Sequence, residues 1–256
     1  MTITFLGQSG FVIDDGGYRV VIDPFLGPLE DDGERRKFPR LVDPPLLGAD
    51  LGSPNLVLVS HHHGDHCHAG TLQDIASASP WCRFVVTASS RDLLQKTGLP
   101  LDRLIVPMLP GWIDFGSIRV CVVPARHYEF SYRDDVIFDY FGFVVEMNGR
   151  RVFHSGDTIP YPGLFAFVAS LAPDICLLPV NGRDAAREAQ GVVGNLTADE
   201  CADFVRRSGC AHVIPCHYGM FAGNTVDIDA VASLLARASP RSQVWVPTVG
   251  RPIELS

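Results

Sequence analysis

The segment Leu56-Val57-Leu58-Val59-Ser60-His61-His62-His63-Gly64-Asp65-His66 joins an apolar run directly to a cluster of imidazoles and a carboxylate. Leu56 to Val59 is continuously apolar, the pattern of a strand covered on both faces. It leads into His-x-His-x-Asp-His. With nine His in 256 residues, chance produces such a pattern on the order of once in a thousand chains of this composition. A turn leaving a strand lets alternate imidazoles converge, while the following Asp and His face a second centre. Neutral imidazole and carboxylate suit Zn, Mn or Fe. The bland alternative is a cluster of surface His, such as a tag. The internal position, the Asp and the preceding apolar strand argue against it.

Working outward, short β-type runs open the chain at Ile3–Leu6, Gly10–Asp14 and Tyr18–Asp23, with Gly16-Gly17 as a hairpin signal and Pro24 as a stop. A polar, Pro-rich stretch over about residues 28–54 reads as a solvated loop or, more sharply, as an active-site lid. Buried-strand patterns recur at Arg83–Val86, Ile118–Val123, Phe141–Glu146, Val152–His154, Ile175–Pro179, His212–Pro215 and Val244–Val246. Helical patterns lie near Ala69–Ala78, Ser90–Thr97, Tyr161–Leu171, Thr197–Ser208 and Asp227–Ala238. Thr197-Ala198-Asp199-Glu200 matches a capping box. The order is strand-rich, alternating, strand-rich, alternating. It predicts two related halves packed sheet on sheet, with helices outside, in one domain over residues 1–256.

Composition narrows the function. Hydrophobic residues make up 46% and charged residues 20% of the chain, enough apolar surface for one sizeable core. The net charge of −8 opposes binding to a phosphate backbone, so no nucleic-acid partner is expected. Seven Cys without a CxxC pair give no legible disulfide framework, which favours a reducing compartment. The amino terminus lacks a basic n-region and no apolar run reaches membrane-spanning length. A cytoplasmic protein with no membrane partner is the expectation.

Three later segments extend the first motif: Val123-Pro124-Ala125-Arg126-His127, Phe153-His154-Ser155-Gly156-Asp157-Thr158 and Ile214-Pro215-Cys216-His217-Tyr218. In this order, with His61 to His66, the sequence resembles the metallo-β-lactamase superfamily. The resemblance implies a four-layer αβ/βα sandwich of the α/β class, with a metal site at one edge between the sheets. It implies that His61, His63 and His127 hold one divalent metal ion, that Asp65, His66 and His217 hold a second, and that Asp157 bridges them. Within the superfamily, Leu178-Pro179-Val180-Asn181-Gly182-Arg183, Gly194-Asn195-Leu196-Thr197 and His217-Tyr218-Gly219-Met220-Phe221-Ala222-Gly223-Asn224-Thr225 resemble the L-ascorbate-6-phosphate lactonase-like group. That likeness makes a homo-oligomer the expected assembly.

Other polar residues carry competing readings. His62 occupies the variable position of the motif and is expected to point away from the metals. His68 either supports a ligand from behind or is a surface His at a helix start. His154 reads as a hydrogen-bonding structural residue, His212 as a satisfied core His, and Cys67 and Cys216 as packing beside ligands. Arg forks match phosphate oxygens, so Arg126 and Arg183, with Asn181 and Tyr218, are candidate contacts to a phosphorylated small substrate. Arg187 and Asn224 are weaker ones.

The chain contains no Gly-x-Ser-x-Gly nucleophile elbow. Two divalent ions, Mn or Zn with Fe also suitable, would instead lower the pKa of a bound water and supply hydroxide near neutral pH. Attack on a lactone carbonyl, with Asp65 and His66 as catalytic residues, makes the expected activity opening of a phosphorylated, sugar-derived lactone. The alternatives are hydrolysis of a small or cyclic phosphodiester and, behind it, a non-catalytic metal-binding sensor or scaffold.

Overall fold

A computed structural model describes residues 1–28, 40–108, 111–128, 132–133 and 137–255. β1 (Thr2–Gly7), β2 (Gly10–Asp15) and β3 (Tyr18–Ile22) form an antiparallel meander. β4 (Leu56–Leu58), β5 (Arg83–Val85) and β6 (Leu104–Ile105) then continue the sheet in parallel. Helices α1 (Ala69–Ala78) and α2 (Ala88–Lys96) make the crossovers after β4 and β5. The second half repeats the plan. β7 (Gly111–Asp114) and β8 (Ile118–Pro124) are followed by a separate two-stranded piece, β9 (Tyr132–Arg133) and β10 (Ile137–Phe138). β11 (Phe141–Met147) and β12 (Arg150–His154) complete the antiparallel part, and β13 (Ile175–Pro179), β14 (His212–Cys216) and β15 (Gln243–Val244) add in parallel. Helices α3 (Leu164–Ser170), α4 (Ala185–Glu188), α5 (Ala198–Ser208) and α6 (Ile228–Ala238) join these strands. The last strand, β16 (Pro252–Glu254), returns to pair with β1, so each sheet has seven strands.

Side-chain alternation along the strands builds the layers. Leu56 and Leu58 face inward, into a core shared with Phe141, Phe143, Val145 and Ile214 of the opposite sheet. Val57 and Val59 face outward, beneath Leu72, Ile75 and Leu94 of α1 and α2. In the second sheet Cys176 and Leu178 point the other way from Ile175 and Leu177, under Phe204 and Val205 of α5 and Leu235 of α6. The strand between two apolar layers therefore needs no polar position, which is why Leu56 to Val59 reads as one run. This is the αβ/βα sandwich. All seven cysteines are buried and unpaired, several of them inside these layers.

Local differences from the expected elements have physical causes. Gly16 and Gly17 form the two-residue hairpin loop with φ of 58° and 87°, as their type requires. The helix expected over 161–171 starts at Leu164, because Pro162-Gly163 breaks it and Gly163 sits at φ 92° as its N-cap. The strand expected at Val244–Val246 is Gln243–Val244, and Val246 is exposed. Strands β6, β9, β10 and β15 have only two residues each, too short for any periodicity to show. In the Pro-rich segment Gly48–Leu51 forms a 3-10 turn and Arg40 bridges to Phe221; the lid reading of residues 29–39 lies outside the described residues.

Phe143 is fully buried at the centre of the inter-sheet core. Phe143→Ala is expected to cost about 3–5 kcal/mol in equilibrium denaturant unfolding. Thr197→Ala, which removes only the α5 cap, should cost about 1 kcal/mol.

Candidate metal centre

Strand ends from both sheets bring the motif residues together. Ser60 to His66 leaves β4, His127 follows β8, Asp157 follows β12 and His217 follows β14. Three overlapping groups result: His61, His63 and His127; His61, His66 and Asp157; Asp65, His66 and His217. Within each group the ligand atoms lie within 4.8 Å of one another. His66 Nε2 is 3.3 Å from Asp157 Oδ1, and His217 Nε2 is 3.2 Å from Asp157 Oδ2. His127 Nε2 lies 4.0 Å from Asp157 Oδ2 and His217 Nε2 lies 3.9 Å from Asp65 Oδ2. Gly156 makes the turn into Asp157 at φ 60°; a Cβ there would lie 2.1 Å from the Phe141 carbonyl oxygen.

The imidazoles are oriented from behind by Asp23, at the end of β3. The Asp23 carboxylate accepts from Ser60 N–H (2.7 Å), from Ser60 Oγ (2.5 Å) and from His66 Nδ1 (2.8 Å). With its proton given to Asp23, Ser60 Oγ can accept from His61 Nδ1, 3.0 Å away. One buried carboxylate thus fixes Nδ1–H on two histidines and leaves both Nε2 lone pairs facing the cluster. His61 Nε2, His66 Nε2 and Asp157 Oδ1 are buried without a hydrogen-bond partner. Unsatisfied atoms of this kind are costly, and all three face the same point, so the residues fit divalent cations.

Charge balance agrees. Burial holds the His61 and His63 imidazoles below their ordinary pKa, and lowers His127 to about 4, so all three are neutral as ligands must be. Burial opposes ionisation of Asp157, but His217 and His66 outweigh it and keep the carboxyl well below its usual range. Asp65 is likewise held low against burial by His66 and His217. Burial alone would depress His66, yet Asp157, Asp65 and Asp23 together raise it well above the ordinary value. This carboxylate cluster demands positive charge.

A family model described as a beta-lactamase superfamily domain matches residues 2–217. The chain belongs to the metallo-β-lactamase superfamily. A metal-dependent hydrolase of Methanoregula boonei is 30% identical over 252 residues, covering 94% of this chain and 93% of its own length. One from Thermoplasma acidophilum is 28% identical over 241 residues, covering 94% and 92%. The crystal structure of a possible metal-dependent hydrolase from Veillonella parvula superposes with a TM-score of 0.78 at 18% identity, covering 100% of this chain and 99% of that one. This superfamily member carries three His/Asp groups that could hold a metal ion.

Other residues of the metallo-β-lactamase-like chain fall into clear places. His62 belongs to none of the three groups and packs on Tyr140. His68 caps α1, accepting from Thr71 N–H and meeting the Pro28 carbonyl oxygen through Nε2. His154 joins the Ser9 carbonyl oxygen to Gly156 N–H. His212 is half-buried and accepts from Trp245 Nε1. Cys67 and Cys216 are buried outside the groups, and burial raises both thiols, Cys67 to about 12.

The arginines point elsewhere. Arg183 gives both ends of its fork to Glu200, the residue that closes the α5 capping box. Arg126 Nε donates to the Tyr128 carbonyl oxygen, and Arg187 holds Asp184 and the Asn181 carbonyl oxygen. Asn181 is fully buried between Asn195 and Asn224. Tyr218 stacks on Phe5, with a buried hydroxyl that has no partner.

Sequence reasoning missed Asp23, Ser60, Tyr140 and Gln8. Gln8 Nε2 donates to Asp65 Oδ2 at 2.7 Å and lies 3.1 Å from His217 Nε2. Gln8, Asp23 and His217 all take positive φ (52°, 43° and 60°), a strained backbone held where the cluster needs it. An Asp directly before Pro24 at a strand end was a usable signal; nothing marked Gln8.

Asp23→Asn keeps the shape but not the charge that orients His66. It is expected to weaken metal affinity by roughly 10–100-fold in chelator competition; unchanged affinity would show that the ligands are held without it.

Proposed function

We propose that the chain is a binuclear metal-dependent hydrolase that opens a lactone of a small, phosphorylated, sugar-derived molecule. The observation that carries the reading is the convergence of the three ligand groups, linked through His61 and His66, beside a cavity of about 640 Å³ whose lining includes His63, Asp65, His127, Asp157 and His217. His61, His63 and His127 would hold one ion, Asp65, His66 and His217 the other, and Asp157 would lie between them. Divalent cations held there would supply an activated water and polarise the substrate carbonyl, so that no side-chain nucleophile is needed to attack the carbonyl carbon.

The chain's own residues orient and shuttle. Asp65 is the more exposed of the two carboxylates, 24% against 4% for Asp157. It reaches the cavity and, ionised, can take a proton and pass it to the leaving alkoxide. Gln8 N–H fixes Asp65 Oδ2, the oxygen that lies 3.8 Å from His66 Nε2 and 3.9 Å from His217 Nε2. Leu93, Val192 and Phe221 form an apolar lining against which a ring can rest while water is displaced.

The test is hydrolysis of a panel by the metal-loaded protein: 6-phosphogluconolactone, glucono-δ-lactone and bis-p-nitrophenyl phosphate. Turnover led by the phosphorylated lactone is expected; turnover of the diester alone would move the function to phosphodiester hydrolysis. His61→Ala or Asp157→Ala should lower bound metal and turnover by more than ~100-fold, and His212→Ala should leave both unchanged. Equal loss in all three would overturn the ligand assignment.

A further inference from the structure

A phosphorylated substrate needs a cation to meet its phosphate, and none of Arg126, Arg183 and Arg187 is among the described residues lining the cavity. Arg183 is locked on Glu200 and Arg187 on Asp184, while Arg126 gives its Nε to a backbone carbonyl. Arg40, by the cavity residue Phe221, spends its fork on the carbonyl oxygens of Val42, Gly27 and Phe25. The cavity that contains Asp65, His63, His127, Asp157 and His217 has one lysine or arginine among its described lining residues, Lys96. Leu93, Lys96 and Thr97 stand at i, i+3 and i+4 at the end of α2, so they present one face to the cavity. Lys96 is exposed and has no carboxylate partner among the described residues. Across the same cavity lie Val192 and the exposed Val193.

We infer that Lys96 is the residue that receives the phosphate of the substrate, while Leu93, Val192 and Val193 flank its carbon skeleton; the inference rests on the lactonase reading above. A lysine suits the task, since its ammonium is a compact point charge on a flexible stem that adapts to a tetrahedral oxyanion at a cavity mouth. The competing explanation is structural. A cation in the last turn of a helix stabilises that helix through its dipole, whatever the cavity binds. The two explanations predict different measurements, because a helix-end charge affects unfolding and not ligand discrimination.

The experiment measures binding of product-like acids to the metal-loaded protein by isothermal titration, so it does not depend on turnover. Gluconate, 6-phosphogluconate and glucarate are compared on wild type, Lys96→Met and Lys96→Arg. Wild type should bind 6-phosphogluconate at least ~10-fold more tightly than gluconate. Lys96→Met should bring the two together, with gluconate affinity and metal content unchanged, and Lys96→Arg should restore most of the gap. A gain for glucarate equal to that for 6-phosphogluconate would keep the role of Lys96 and make its ligand a carboxylate. Overturning results are a wild type without preference, or a Lys96→Met variant that keeps the full preference and loses only unfolding stability. Failure of the lactone panel with the preference intact would remove the lactonase reading and leave Lys96 as an oxyanion site.

Discussion

Asp23 holds the centre together. Its carboxylate is completely buried and serves Ser60 N–H, Ser60 Oγ and His66 Nδ1 at once. Burying that charge would be costly without such partners. Given them, it converts two flexible imidazoles into ligands of defined tautomer and direction. The strand pairing supplies the rest: β3 and β4 run parallel, so Asp23 and Ser60 leave adjacent strand ends side by side. Phe141 N–H also donates to the Ser60 carbonyl oxygen, which pins the same turn to the opposite sheet.

The sandwich explains why seven candidate ligand positions scattered from residue 61 to residue 217 meet at one edge. The two halves share a plan, antiparallel strands followed by parallel ones, and chain segments leaving the parallel strands emerge on the same side. Each sheet contributes part of the cluster, and a backbone hydrogen bond from His217 N–H to the Gln8 carbonyl oxygen ties the two contributions together. The positive φ values at Gln8, Asp23 and His217 are backbone strain concentrated on that edge. The buried layers on both sides supply the stability that holds it.

The layers and the motif were legible in the sequence because they rest on local pattern. Leu56 to Val59 announces a doubly covered strand, and His61 to His66 announces ligands beside it. His127, Asp157 and His217 were found through resemblance, since one His or Asp after a strand says little alone. Contacts set by the fold left no such trace. Asp23 lies 43 residues from His66, and Gln8 lies 57 from Asp65. The arginines were legible as phosphate forks only by residue type; the Glu200 that takes up Arg183 lies 17 residues further on, with no periodicity relating them. Two-residue strands and the Pro162-Gly163 break escaped for the opposite reason, too little pattern or a stop signal outweighed by its apolar neighbours.

The account stands on a centre in which His61, His63, Asp65, His66, His127, Asp157 and His217 are satisfied together by divalent cations. Metal content per chain, measured by elemental mass spectrometry after loading with Mn or Zn and removal of excess, tests this most directly. The account predicts about two ions per chain, one for His61, His63 and His127 and one for Asp65, His66 and His217. A chain that retains no metal after loading, while remaining folded, would contradict it.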